Sequence, residues 1–189
     1  EMTIFHRYFQ TTKKSPFVVS SGTYADVEGI QDLIKIARNM PEVEFYYFGD
    51  RSLSRWKLAP FLKIEKTAPK NVHFSDIVTD DVFRSALMNA SAFLELGHKF
   101  AGNMTLLDVA AAKLQVIARK QAIFPDIFIN NKTAYLDNNL EDLEMLLRKF
   151  LNKELPSRVE GAYQAVKPYN LYHLGEKIAA IYESVIKVS

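Results

Sequence analysis

Residues 16–39 begin Pro16-Phe17-Val18-Val19-Ser20-Ser21-Gly22-Thr23-Tyr24-Ala25-Asp26 and run on to Asn39, and their reading decides the fold. The run 17–20 is short, apolar and β-branched, as strands buried on both faces are. Val27, Ile30, Leu33, Ile34 and Ala37 then recur at i, i+3 and i+4, which predicts a helix over 26–39 that Pro41 stops. Between the two, Ser20-Ser21-Gly22-Thr23 reads as the turn that joins strand to helix. A strand, a glycine-bearing turn and an amphipathic helix make half of a βαβ unit.

The same pattern repeats down the chain. Strands are expected at 17–20, 43–48, 72–74, 92–96, 115–118 and 133–135. Helices are expected at 26–39, 54–66, 79–89, 104–112 and 140–151, with a closing pair at 156–165 and 169–185. This alternation specifies an α/β domain: a Rossmann-like, doubly wound parallel sheet of about six strands with C-terminal helices. No strand separates the last two helices, so they should wrap the surface or reach toward a missing neighbour. Residues 1–15 read as a lead-in from an upstream domain, and 16–189 as the folded unit.

Composition narrows the function classes. At 189 residues, 48 % hydrophobic and 24 % charged, the chain suits one hydrophobic core, and seven glycines with seven prolines leave no room for a long linker. It has no cysteine, which removes disulfides, thiolate metal sites and cysteine nucleophiles and fits a reducing, cytoplasmic setting. A net charge of +2, evenly spread, does not make nucleic acid the expected partner. His6, His73, His98 and His173 are scattered without ligand spacing, so no metal is expected. Asp80-Asp81 sits where a helix start favours negative charge, and Phe45-Tyr46-Tyr47-Phe48 reads as a central strand.

In an open parallel sheet, ligands bind beyond the carboxyl ends of the strands. That directs attention to the loops 21–26, 49–54, 75–80 and 97–103. Neither G-x-G-x-x-G nor a Walker A motif is present, so dinucleotide and P-loop chemistry drop out. The loop Leu96-Gly97-His98-Lys99-Phe100-Ala101-Gly102-Asn103 precedes a helix beginning near Met104. A diphosphate lying there would meet Lys99 as counter-charge and the N–H groups of Met104, Thr105 and Leu106 as donors. Asn103 is equally a helix N-cap.

In order and spacing, the chain resembles the C-terminal domain of family-4, or group 1, retaining GT-B glycosyltransferases, nearest the bacterial glucosyl- and diglucosyl-diacylglycerol synthase branch. The residues that carry the likeness are Pro16 to Gly22, Glu28-Gly29-Ile30, Ile36 to Pro41, Glu44-Phe45 with Phe48-Gly49, Pro69 to Phe74, and Leu106-Leu107-Asp108-Val109-Ala110-Ala111. Leu155-Pro156, Gly161, Tyr163 and Ile181 to Ser184 extend it to the end.

The resemblance implies a domain that binds a nucleotide sugar, usually a UDP-sugar, against an upstream acceptor domain, with no cofactor and no metal. Membrane association is then peripheral and carried by the missing domain. Relatives neutralise the leaving diphosphate with an Arg and a Lys after the first glycine loop, and use an E-x7-E pair for the sugar and the ribose. Here the Arg and Lys positions hold Val27 and Glu28, the first glutamate is Phe100, and the second is Asp108. The glycine and proline at the following helix end are Lys113 and Gln115. Losing two cations at a diphosphate costs several kcal/mol of transition-state stabilisation, a rate loss of about 10³-fold or more.

Two readings follow. In the first, the donor site is degraded and the domain is a pseudo-enzyme partner of an active paralogue, its final helices making the subunit contact. In the second, it is a working transferase that places Gly22 at the sugar, His98 or Lys99 at the diphosphate and Asp108 at the ribose. A third class, a response-regulator-like or flavodoxin-like domain, requires an acidic cluster at the strand ends, and in the sequence Asp50 stands alone there.

Overall fold

A computed structural model describes residues 16–52, 54–98, 104–120, 123–169 and 171–186. Six strands form one parallel sheet: β1 (Phe17–Thr23), β2 (Glu44–Asp50), β3 (Val72–Ser75), β4 (Ala92–Glu95), β5 (Val116–Arg119) and β6 (Tyr135–Asp137). Their order is β3-β2-β1-β4-β5-β6. The chain moves outward from β1 through β2 and β3, then returns to place β4 on the other side of β1. That reversal is the switch point of a Rossmann-type sheet. A flavodoxin-like sheet has a different strand order, so the topology removes the response-regulator-like class.

Helices cover both faces. On one side lie α1 (Val27–Asn39), α2 (Arg55–Glu65) and α5 (Leu140–Leu151), burying Ile30, Leu33, Phe61, Leu143 and Leu147 against Val18, Phe45 and Leu94. On the other lie α3 (Asp80–Asn89), α4 (Thr105–Ala111) and α6 (Val159–Val166), which pack Leu87, Leu106, Val109 and Ala162 against Val19, Phe93 and Val116. Val18 and Val19 face opposite cores, as the period of two along a strand requires. A short 3-10 turn (Lys167–Tyr169) leads into the last helix, α7 (Leu171–Ile186).

The expected elements form, with one correction in the first loop. Ser20-Ser21-Gly22-Thr23, read as a turn, is the end of β1. The strand runs on because β2 also continues past Phe48, pairing Ser21 with Phe48, Gly22 with Gly49 and Thr23 with Asp50. The turn is therefore compressed into 24–26, and Asp26 caps α1 by accepting from the Gly29 N–H at 3.2 Å. Tyr24 is buried in that turn, 4.0 Å from the Phe61 ring by centroid. Its hydroxyl donates to the Ser75 carbonyl, tying the first loop to the third.

Lys113 adopts φ 56°, the left-handed region that favours glycine. This is the position where the resemblance places a glycine, so the backbone keeps that conformation without the residue that holds it at least cost. Gln115, in the proline position, accepts from the Arg158 N–H at 2.8 Å, a bond proline has no side chain to make.

Candidate functional site

The carboxyl ends of β1 and β4 diverge at the switch point, and a cavity of about 700 Å³ opens between them. Its walls are Ser20–Thr23 of β1, the start of α1 from Asp26 to Gly29, and Leu94–His98 at the end of β4, with Tyr47 and Leu33 below. Gly29 permits the close approach of α1 to β4, since a Cβ there would lie 2.7 Å from an Asp26 carboxylate oxygen and 3.3 Å from the Leu96 carbonyl. Over Gly22 the space is taken by the Tyr47 hydroxyl, 2.6 Å from where a Cβ would sit.

The electrostatics of this cavity are those of an anion-lined space. Asp26, Glu28 and Glu95 contribute carboxylates, and among the described residues no lysine or arginine lines it. Burial pushes the Tyr47 phenol far above its ordinary range, and the Asp26 and Glu95 carboxylates push it the same way, so it stays a neutral donor. Its hydroxyl donates to the Thr23 carbonyl at 3.3 Å.

His98 is the basic group on the described wall, and it is already engaged. Its Nε2 lies 2.9 Å from Asp32 Oδ2, and its Nδ1 lies 3.9 Å from Glu28. Asp32 is itself the hub of a network. Arg119 donates to it from Nη2 at 2.5 Å, to the Leu96 carbonyl from Nε at 3.1 Å and to the Asn138 carbonyl from Nη1 at 2.6 Å. Lys35 adds a contact at 3.0 Å. Burial alone would raise the Asp32 pKa, but the hydrogen bonds from Lys35 and His98 and the charges of Lys35 and Arg119 outweigh it and hold the carboxyl below its usual value.

The predicted residues separate in space. Gly22 and His98 line the cavity, and so do Val27 and Glu28, which stand at the positions of the expected cations. Thr105 instead lines a second cavity of about 310 Å³ on the far side of Gly22. Met104 is exposed beside it, Leu106 is fully buried in the core, and Asp108 is exposed on α4 and lines neither cavity. Lys99, Phe100 and Asn103 lie outside the described residues.

Asp50, expected to stand alone, does not. Asp76 and Asp80 line the second cavity with it. Asp50 accepts from the Ser52 N–H of its own loop at 2.6 Å, and Asp76 accepts from its neighbour Ile77 N–H at 2.8 Å and across to the β2 loop from Arg51 N–H at 3.1 Å. Among the described residues no three His, Asp or Glu side chains are grouped to hold a metal ion.

Asp26, Glu95, Asp32 and Arg119 were missed by sequence reasoning. Arg119 did leave a signal: an arginine ending the apolar run Val116-Ile117-Ala118 requires a buried acceptor, and Asp32 flanks the apolar stripe of α1.

A doubly wound sheet with a large cavity at its β1–β4 switch point, closed by C-terminal helices, is the fold of one half of a GT-B glycosyltransferase. The solved structures agree. A sucrose-phosphate synthase from Thermosynechococcus elongatus superposes with a TM-score of 0.83 over 99 % of this chain and 49 % of its own, at 15 % identity. The C-terminal domain of a group 1 family glycosyl transferase from Francisella tularensis gives 0.66 over 90 % of this chain and 94 % of that domain, at 17 % identity.

By sequence, the chain is similar to glycosyltransferases that act on diacylglycerol lipids. It is 25 % identical over 185 residues to a processive diacylglycerol alpha-glucosyltransferase of Acholeplasma laidlawii, covering 97 % of this chain and 55 % of that one. The chain thus spans about half the length of that relative. No family model matches it.

Proposed function

We propose that this chain is the donor-side half of a GT-B glycosyltransferase-type protein whose diphosphate site has been lost, and that it serves as a non-catalytic partner of an active transferase. Residues 1–15 then lead in from an acceptor domain, and 16–189 form the donor-side domain. In active relatives such a domain would hold a UDP-sugar for transfer of a hexose to a lipid or glycan. One observation carries the reading. The cavity at the switch point, where the nucleotide sugar belongs, has Val27 and Glu28 at its helix edge and three carboxylates around it, with no Lys or Arg among its described lining residues.

A diphosphate entering there would leave water for a site of its own charge sign, at a cost of several kcal/mol that no lysine or arginine among the described lining residues offsets. His98 does not reverse the balance, because Asp32 and Glu28 already flank it. Uncharged groups remain available, since Ser21, Thr23 and backbone N–H groups can still meet sugar hydroxyls. The fold is therefore retained where the transfer chemistry is not. The partner contact falls to α7, where Ile178, Ile181, Tyr182 and Val185 recur on one exposed face.

The second reading, an active retaining transferase with a rearranged phosphate site, draws on the cavity's volume, which is ample for a nucleotide sugar. It requires Lys99 to replace both missing cations and Asp108 to reach the ribose, and neither reading calls for a metal. Calorimetric titration with UDP and UDP-glucose separates the two. The pseudo-enzyme reading expects no heat up to millimolar ligand. Micromolar UDP affinity that Lys99→Ala abolishes would favour the active one and count against the pseudo-enzyme reading.

A further inference from the structure

The second cavity, on the other side of the β1 end, joins an aromatic wall to an acidic one. It shares Ser21 and Gly22 with the switch-point cavity. Its apolar wall is built on Phe48 of β2 and Phe83 of α3, packed edge to face with ring centroids 5.3 Å apart, and on Val78. Ile77 lines it as well and is 69 % exposed, which leaves a large apolar side chain in water at a hydrophobic cost.

The polar wall carries Asp50, Asp76 and Asp80. None of the three forms an ion pair with a described residue, and no lysine or arginine is among the described lining residues. Arg51, whose N–H donates to Asp76, directs its guanidinium elsewhere: it pairs with Glu65 and lies 5.2 Å from the Tyr24 and Phe61 ring centroids. Hydrogen bonds from the Ser52 side chain and N–H hold the Asp50 carboxyl below the usual carboxylate range, so it stays ionised. The adjoining switch-point cavity adds Asp26, Glu28 and Glu95. Negative charge is thus gathered along this edge of the sheet in a chain whose net charge is +2, and clefts of one sign focus their field on an approaching cation.

We infer that the second cavity is the docking site for an arginine on the surface of a protein partner, with an apolar residue beside that arginine covering Ile77. A guanidinium is planar and weakly hydrated, so it lies against the exposed part of the Phe83 ring while its N–H groups reach the carboxylates. A cavity of about 310 Å³ has room for that head group and the aliphatic stem behind it. The three carboxylates are not grouped as metal ligands among the described residues, which favours an organic cation over a metal ion. Their sign also repels phosphate, which disfavours a nucleic acid strand. The site is separate from the apolar face of α7, and it stands whether or not the switch-point cavity binds a nucleotide.

The test is fluorescence anisotropy of a labelled peptide of alternating arginine and leucine, titrated with the full chain. The peptide should bind, and its counterpart with citrulline, the neutral isostere, in place of arginine should bind about tenfold more weakly or worse. Asp76→Asn combined with Asp80→Asn should weaken the arginine peptide by a similar factor, with far-UV circular dichroism unchanged because both side chains are exposed. Ile77→Ser, which leaves every carboxylate in place, should weaken it as well. The inference is overturned if the arginine peptide does not bind up to millimolar chain, or if the double variant binds it like the parent. It is also overturned if spermine displaces the peptide as well as unlabelled peptide does and Ile77→Ser has no effect, since charge alone would then account for binding. Loss of binding in Asp26→Asn combined with Glu28→Gln, and not in the Asp76 and Asp80 variant, would overturn it by placing the arginine in the switch-point cavity.

Discussion

Asp32 shows how a single carboxylate can tie several elements of a fold together. It joins α1 to the end of β4 through His98, to β5 through Arg119, and by way of Arg119 to the entry of α5. Removing one member of a buried pair leaves the other charge stranded, so Asp32→Ala should cost about 3–5 kcal/mol in urea unfolding. The pH dependence has a definite sign. The folded pKa is depressed, so the contribution is fully present above the unfolded value of about 3.9 and is lost as the pH falls through the folded value. Wild type should therefore lose stability below about pH 4 more steeply than Asp32→Asn. Equal acid slopes would mean that the network is not coupled to the fold. Lys113 supplies a second residue-scale test: at φ 56°, Lys113→Gly should change stability by no more than about 1 kcal/mol, while Lys113→Val should cost about 2.

At the scale of elements, capping predicts a contrast between two helices. Asn139 accepts from the Glu141 and Asp142 N–H groups at 2.8 and 3.4 Å, whereas Ser54 makes no side-chain bond at the start of α2. Asn139→Ala should cost about 1 kcal/mol by thermal unfolding and Ser54→Ala almost nothing. The elements were the most legible feature of the sequence, because 3.6-residue and apolar-run periodicities are local. The end of β1 was not, since Ser21, Gly22 and Thr23 look like a turn until β2 is seen beside them. Nor was the Asp32–Arg119 pair, 87 residues apart, which only the folded sheet brings together. Val27 and Glu28 could be placed at the cavity beforehand because a helix that follows the first strand must start at the sheet's ligand-binding edge. Asp108 could not be fixed in the same way: its position depends on the loop before α4, and on the described helix it faces solvent.

At the scale of the whole molecule, a GT-B-like fold surrounds a switch-point cavity whose described walls carry carboxylates and no lysine or arginine. Its strand order is that of a Rossmann-type sheet, and Lys113 keeps a left-handed backbone, while the two α1 positions expected to neutralise a diphosphate hold Val27 and Glu28. A fold that rests on buried packing tolerates drift better than transfer chemistry that rests on a few cations. On the reading proposed above, the lack of a cation beside Val27 and Glu28 is what keeps a diphosphate out. Calorimetry with UDP on Val27→Arg combined with Glu28→Lys tests it most directly. The parent chain should give no heat, and the double variant should bind with measurable, sub-millimolar affinity. Tight binding by the parent, unimproved by the two new cations, would contradict it.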